Sequence, residues 1–201
     1  MLTTKEAIEK RRSIRKFKPD AVSREILEEL INAARLAPSA CNSQAWRFKI
    51  VADQIIKDKL AEAARQQRFV AQAPIVIVCC ASLKEYVDDL ILGTKDLADN
   101  HVFDQNIVEL VMQGANYLRG LTPAQLGAIV EFNVAIAIEH IMLRALDFGL
   151  GTCLVRSLDK EKVRQIFNWD ETMFVSALLP IGYPAENPEP RRRKPLSEII
   201  I

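Results

Sequence analysis

Apolar positions along the chain follow two different spacings, and their order outlines a fold. Ile26, Leu27, Leu30, Ile31 and Ala34 recur three or four apart, the spacing of one buried helical face. Ser23 stands where an N-cap belongs, and Pro38 ends the pattern. Upstream, Thr3 and Glu6 have the capping-box spacing for a first helix over roughly residues 4–12. The run Ile75-Val76-Ile77-Val78-Cys79-Cys80-Ala81 is different. No polar side chain interrupts it, which predicts a central strand covered on both faces, opened by Pro74.

The remaining elements follow the same logic. A strand is expected over 47–51, then a helix capped by Asp53 and reaching Gln67. The stretch from Lys84 to Asn116 reads as helical without clear boundaries. Pro123 starts a long helix that runs to about Phe148, with Gly149 as its stop. That helix is apolar nearly all round, so it is expected at the centre, with packing against another subunit as one way to cover it. A strand over 152–156 follows. Asp159 caps a further helix, with Leu158 and Val163 placed as a hydrophobic staple, and a strand spans 174–181. The tail is polar and proline-rich before Leu196 and the closing Ile199-Ile200-Ile201. Such an apolar end requires pairing or docking. With no repeat and no linker, residues 1–201 read as a single α+β domain.

Composition narrows the function classes. The chain is 49% hydrophobic and 26% charged, a globular balance, and its length suffices for a full core. The most apolar stretch, 129–150, is interrupted by Glu131, Asn133, Glu139, His140, Arg144 and Asp147, which favours a buried helix over a membrane span. Residues 1–10 lack the apolar run of a secretory signal. Four cysteines show neither zinc spacing nor a disulfide framework, so the expected compartment is the cytoplasm. Cys79 and Cys80, adjacent on a strand, should face opposite ways.

Charge is concentrated at the two ends. Against 27 basic and 26 acidic residues overall, Arg11-Arg12-Ser13-Ile14-Arg15 and Arg191-Arg192-Arg193-Lys194 are dense cationic clusters. A net charge of +1 and 6% aromatic content weigh against nucleic acid. Two or three guanidinium forks and a hydroxyl, from Arg11, Ser13, Arg191 and Arg193, would suit a compact anion such as a phosphate, if folding joins the ends. Solvated surface is the alternative for either cluster alone.

Other candidates are thinner. In the loop 38–46, Asn42 and Gln44 could each offer a donor and an acceptor to the edge of a planar heterocycle. Gly149-Leu150-Gly151-Thr152-Cys153 follows a helix and precedes a strand, the reverse of a dinucleotide fingerprint. Gly151 would still allow a flat ring close to backbone N–H groups. His101 and His140 show no paired-ligand pattern, and His140 reads as a hydrogen-bonded core residue. Cys41 and Cys153 read as small hydrophobes. Glu131 and Glu139 lie on roughly one helical face, without a Glu-x-x-His partner motif. Anion clamps, amides and close-approach glycines suit a protein that holds a cofactor and lets it react.

Read in order, these segments resemble the FMN-dependent nitroreductase family: Arg-Arg-Ser-Ile-Arg-Lys-Phe, Ala-Pro-Ser-Ala-Cys-Asn-Ser-Gln-Ala-Trp-Arg-Phe, Ala-Pro-Ile-Val-Ile-Val, Gly-Leu-Gly-Thr-Cys and Ile-Gly-Tyr-Pro followed by Arg-Arg-Arg-Lys-Pro-Leu. The resemblance implies an α+β fold with a mainly antiparallel sheet flanked by helices. It implies an intertwined homodimer, each tail completing the partner's sheet, with FMN at the interface. Arg11, Arg12, Ser13, Arg191 and Arg193 would grip the phosphate and ribityl chain, and Arg15 the pyrimidine edge. Pro38, Ser39, Asn42 and Gln44 would come from the other subunit, and the backbone of Leu150 and Gly151 would line the ring. Ala45 stands where the family often has proline, and residues 84–121 match none of its motifs.

The implied activity is NAD(P)H-dependent reduction of nitroaromatics, quinones or similar small electron-poor acceptors by a ping-pong cycle, with no catalytic side chain, nucleic acid or membrane. The alternatives are a flavoprotein of this build with another redox task, such as dehalogenation, dehydrogenation or oxygen-dependent flavin chemistry, and a non-catalytic binding module that uses its basic patches.

Overall fold

In the computed structural model, which describes residues 1–201, four strands form one antiparallel sheet. They are β1 (Trp46–Val51), β2 (Ile75–Ser82), β3 (Gly151–Thr152) and β4 (Met173–Gly182), in the order β1-β2-β4-β3. Every residue of β2 is buried, as its unbroken apolar run requires. Side chains alternate between layers: Ile75, Ile77, Cys79 and Ala81 join one core cluster, and Val76, Val78 and Cys80 the other. The two adjacent cysteines do face opposite ways.

Eight helices cover the two faces: α1 (Thr4–Lys10), α2 (Arg24–Arg35), α3 (Gln54–Ala63), α4 (Phe69–Gln72), α5 (Leu83–Asp99), α6 (Gln105–Arg119), α7 (Pro123–Ala145) and α8 (Lys160–Ile166). Leu30 of α2, Tyr86 of α5 and Ile138 of α7 enter the larger cluster. Leu60 of α3, Val70 of α4 and Val163 of α8 enter the smaller one. The caps hold as expected. Thr3 and Glu6 satisfy each other's backbone N–H groups, and the side chains of Ser23, Asp53 and Asp159 accept from the first turns of α2, α3 and α8. Leu158 and Val163 are buried in one cluster, so the staple is in place.

Several boundaries differ from expectation. α1 ends at Lys10, which frees Arg11 and Arg12 from the helix. α3 stops at Ala63 because Arg65 and Gln66 turn left-handed, with φ of 56° and 62°, redirecting the chain into α4. The stretch 84–116 is two helices, parted where Asp104 caps α6. The strand expected over 152–156 is only the two residues of β3, after which Val155 makes a single bridge to Leu178. Val155 finds cover without a full ladder, while Leu154 and Arg156 face solvent.

α7 is central, as anticipated, but it is not enclosed. Val130, Val134, Ala137 and Ile141 are fully buried, whereas Ile129 and Phe132 are 43% and 72% exposed. The helix and its 3₁₀ extension to Phe148 are long and apolar enough to cross a bilayer by length and composition, with a mean hydropathy of 1.7 over the relevant window. Half of that window is buried against the rest of the chain. Burial, more than the scattered charges, marks it as a core helix. Gly149, at φ 67°, ends the extension in the left-handed region that glycine adopts freely.

The sheet has one irregularity. Between Cys79 and Cys80 the β2–β4 register shifts, pairing Cys79 with Ala177 and Cys80 with Val175. Ser176 is therefore the extra residue of a bulge, and such insertions re-aim side chains locally.

Candidate functional site

The two ends of the chain meet at the edge of the sheet. Residues 13–18 thread between β3 and the chain leaving β4. Ser13 forms a parallel bridge with Thr152, and Ile14 N–H donates to the Thr152 carbonyl at 2.9 Å. On the other side Lys18 N–H donates to the Tyr183 carbonyl at 2.8 Å, and Ala185 N–H to the Lys16 carbonyl at 2.9 Å. The Glu186 carboxylate accepts from the backbone N–H groups of Arg15 and Lys16. This stitching carries residues 188–193 back to residues 11–15.

A cavity of about 120 Å³ results, lined by Arg11, Arg12, Ser13, Arg15, Arg191 and Arg193 together with Pro188 and Glu189. Its volume is below the ~300 Å³ at which whole-ligand pockets begin, so it suits one compact group of a larger molecule. Five guanidinium groups face one lining carboxylate. Arg11 also has Glu139, at 4.0 Å, a loose contact. Arg12 is braced by donating to the carbonyls of Glu9 (2.7 Å) and Arg11 (2.9 Å). Arg193 donates to the carbonyls of Arg191 (3.1 Å) and Arg192 (3.3 Å). Arg15 lies over the Phe69 ring at 5.8 Å. Like charges gathered with so little compensation favour an anion strongly.

Pro38, Ser39, Asn42 and Gln44 lie elsewhere in the chain and line no part of this cavity. Their loop is tightly wound: Cys41, Asn42 and Gln44 have φ of 47°, 52° and 45°. Left-handed backbone at such residues costs on the order of 1–3 kcal/mol each and needs support from its surroundings. Ser39 Oγ accepts from Gln44 N–H at 3.1 Å, and the Gln44 amide donates to Asn42 Oδ1 at 3.1 Å. Asn133 of α7 accepts from Ala40 N–H at 3.3 Å. Asn42 and Gln44 border a different cavity, of about 390 Å³, with Asp89 and Asp96 of α5.

Leu150 is 1% exposed, and its N–H is taken by the Ala145 carbonyl at 3.0 Å. A methyl group on Gly151 would stand 2.5 Å from Ile14 Cγ1. On that side the glycine admits Ile14. The solvent-facing residues of this run come later, at Leu154 and Arg156.

Those residues border a third cavity, of about 330 Å³, between α7 and β4. Glu131, Phe132 and Ser176 also line it. As a candidate carboxylate site, Glu131 is paired in the sequence with Glu139. The structure sends them to different partners, Glu131 to Arg156 and Lys160, and Glu139 to Arg11. The available signal was a lone arginine three residues before the Asp159 cap, in an otherwise apolar run.

Nucleophiles are poorly served. Burial pushes the Cys80 thiol up to about 12 and raises those of Cys79 and Cys153. His140 Nδ1 is engaged by the Ala33 carbonyl at 3.1 Å, as expected of a satisfied core histidine.

Comparison with known proteins converges on one family. A sequence model described as the nitroreductase family matches residues 8–183. Over 208 aligned residues the chain is 31% identical to an NADH dehydrogenase of Thermus thermophilus, spanning 100% of this chain and 96% of that one. A nitroreductase family protein of Streptococcus pneumoniae superposes with a TM-score of 0.75 at 25% identity, covering 99% of both chains. A structure from Exiguobacterium sibiricum, assigned as a nitroreductase and crystallised with FMN, superposes at 0.81 with 22% identity, covering 100% and 97%.

Proposed function

The chain belongs to the nitroreductase family, and on that premise we propose that it is an FMN-dependent oxidoreductase that spends NAD(P)H on small electron-poor acceptors. Nitroaromatics and quinones are the acceptor classes. The observation that carries this reading is the arginine-lined cavity built from both ends of the chain.

The residues present fit the phosphate end of FMN. Guanidinium forks from Arg11, Arg12, Arg191 and Arg193, with the Ser13 hydroxyl, match a tetrahedral dianion, and the cavity is the right size for that group alone. Arg15 shares the cavity and extends its positive field. A cation near the pyrimidine edge would favour the reduced cofactor by stabilising the negative charge it gains. When bound, FMN supplies the two-electron relay between nicotinamide and acceptor. The chain itself binds, orients and sets the electrostatics. No side chain is assigned as acid or base.

A ring system needs walls that the 120 Å³ cavity lacks. We infer that a second copy of the chain supplies them, through Pro38, Ser39, Asn42 and Gln44. Two features support a homodimer. Ile129 and Phe132 are exposed on α7, and Leu196, Ile199, Ile200 and Ile201 are exposed by 71%, 61%, 70% and 119%. Within one protomer the apolar tail is not docked, contrary to what an isolated chain would need. Across a dimer it would be covered.

The visible spectrum before and after anaerobic addition of NADH or NADPH tests the proposal. A yellow protein that bleaches with either donor, and recovers with a nitroaromatic or quinone, is the expected result. Colourless protein that refuses added FMN would overturn it.

A further inference from the structure

Three of the seven non-glycine residues with left-handed backbone, Cys41, Asn42 and Gln44, fall within four positions of the amide loop. Backbone of that kind persists only where the surroundings over-determine it. α5 provides such support at two points. At Gly93 the helix carries no side chain. A β-carbon there would stand 1.8 Å from the Cys41 carbonyl oxygen and 3.4 Å from the Asn42 carbonyl carbon, so the loop lies directly on the helix. At Glu85, eight residues earlier, the link runs through a side chain of β1. Arg47 Nη2 donates to the Glu85 carboxylate at 2.5 Å, while Nη1 donates to the carbonyls of Gln44 (3.2 Å) and Trp46 (2.9 Å). At about 1.5 Å per helical residue, the two supports lie about 12 Å apart along α5.

Arg47 and Ser39 between them fix the orientation of Gln44. Ser39 Oγ accepts from the Gln44 N–H and Arg47 donates to the Gln44 carbonyl, so the peptide groups on both sides of this residue are held. The Gln44 side chain is tied in turn to Asn42, donating to its carbonyl at 3.3 Å and to its Oδ1 at 3.1 Å. Turning the Gln44 peptide would swing both amides together. A guanidinium suits this task because its planar fork reaches the carbonyls and a carboxylate at fixed angles, which an ammonium does not match.

As a source of stability the same contacts are weak. The side chains of Arg47 and Glu85 are 42% and 55% exposed, and exposed ion pairs add little. Arg47 holds Glu85 below its ordinary value of 4.5, so the pair stays charged at neutral pH. What the arrangement contributes is direction.

We propose that Arg47 is a positioning residue for the cofactor: braced on Glu85, it sets the direction in which Asn42 and Gln44 present their amides to the FMN held by a second copy of the chain. The inference rests on the reading of this loop as the wall that one protomer supplies to the other's flavin. It deepens that reading by making α5, which opens the stretch without family motifs, the reference for alignment of the ring.

The test is titration of the full chain, freed of flavin, with FMN, following flavin fluorescence and the visible spectrum of the bound state. Arg47→Ala should raise the FMN dissociation constant about tenfold, the loss of one well-directed hydrogen bond, and move the visible band toward that of free FMN. Glu85→Gln should reproduce part of the change. Arg47→Lys keeps the ion pair without the fork, so it should not restore the wild-type spectrum. In a background carrying Asn42→Ala and Gln44→Ala, Arg47→Ala should have no further effect, because neither amide remains to be aimed. Melting temperatures of the arginine variants should change by no more than about 2–4 °C.

Unchanged affinity and spectrum in Arg47→Ala, full rescue by lysine, or an undiminished effect in the amide-free background would each overturn the proposal. Should Arg47→Ala fail to fold, Arg47→Lys and Glu85→Gln decide the matter by the same readouts. Wild-type protein that refuses FMN would sink the functional reading and this inference together. FMN binding with additive effects would sink this inference alone.

Discussion

Ile14 packs so closely on Gly151 that a β-carbon on the glycine would approach Ile14 Cγ1 to 2.5 Å and Ile14 Cβ to 2.9 Å. The contact locks the N-terminal segment onto the sheet edge, between Ser13 and Arg15. Gly151→Ala should therefore destabilise the fold by about 1–3 kcal/mol, the usual scale of overpacking. It should also loosen the cofactor, because Ile14 sits between two residues of the arginine cavity. Thermal melts and FMN release on dilution measure the two effects together. An alanine variant that melts and retains flavin like wild type would mean the segment shifts freely.

Arg193→Ala should weaken FMN retention by about 1–3 kcal/mol, the worth of a hydrogen bond to a charged group. Added salt should shrink the difference between wild type and variant, because part of the arginine's contribution is screened. Flavin fluorescence titrations at low and high ionic strength give both numbers. Unchanged affinity would reduce Arg193 to surface charge.

The tail tests the oligomer. Deleting residues 195–201 removes Leu196 and the three exposed isoleucines while leaving Arg191 and Arg193 in place. Light scattering on a sizing column should show the dimer weakened or lost, with little change in the secondary structure of each protomer. A truncated protein that stays fully dimeric at low concentration would assign the interface to α7 alone.

Two carboxylates should make opposite marks on stability as pH changes. The Leu2 backbone N–H, at 2.6 Å, and then Arg144 hold Asp147 below its ordinary value of 3.8. Its contribution is complete above that value and is lost as pH falls through the depressed folded pKa. Asp147→Asn should remove the corresponding slope from a plot of melting temperature against acidic pH. Burial raises Glu139 above 4.5, with Arg11 offsetting part of the shift. The folded state then holds its proton longer than the unfolded one, so stability falls as pH rises from 4.5 through the raised value. Glu139→Gln should stabilise the protein at neutral pH. It should also free Arg11 and tighten FMN binding. A variant that melts lower at neutral pH would show that the Arg11 contact outweighs burial.

Much of the fold could be read from residue order because the deciding interactions are local. The caps at Thr3, Ser23, Asp53 and Asp159 depend on neighbours three residues away, and the buried β2 run carries its own periodicity. Boundaries failed where tertiary packing outweighed local preference. Arg65 and Gln66 turn left-handed against their propensity. The run after Thr152 needs no ladder, because Val155 and Leu158 are covered by the smaller core cluster.

By itself the sequence determined the α+β order of elements, the paired arginine clusters and the family motifs that link them, since each is a matter of residue type and short-range spacing. Only the tertiary structure decided that the two clusters line one cavity. It also decided that Gly151 faces Ile14 and that the amide loop lies apart. Arg156, Glu131 and Ser176 meet for the same reason. Residues far apart in the chain come together through sheet register, a bulge and helix packing, and no short-range pattern encodes those.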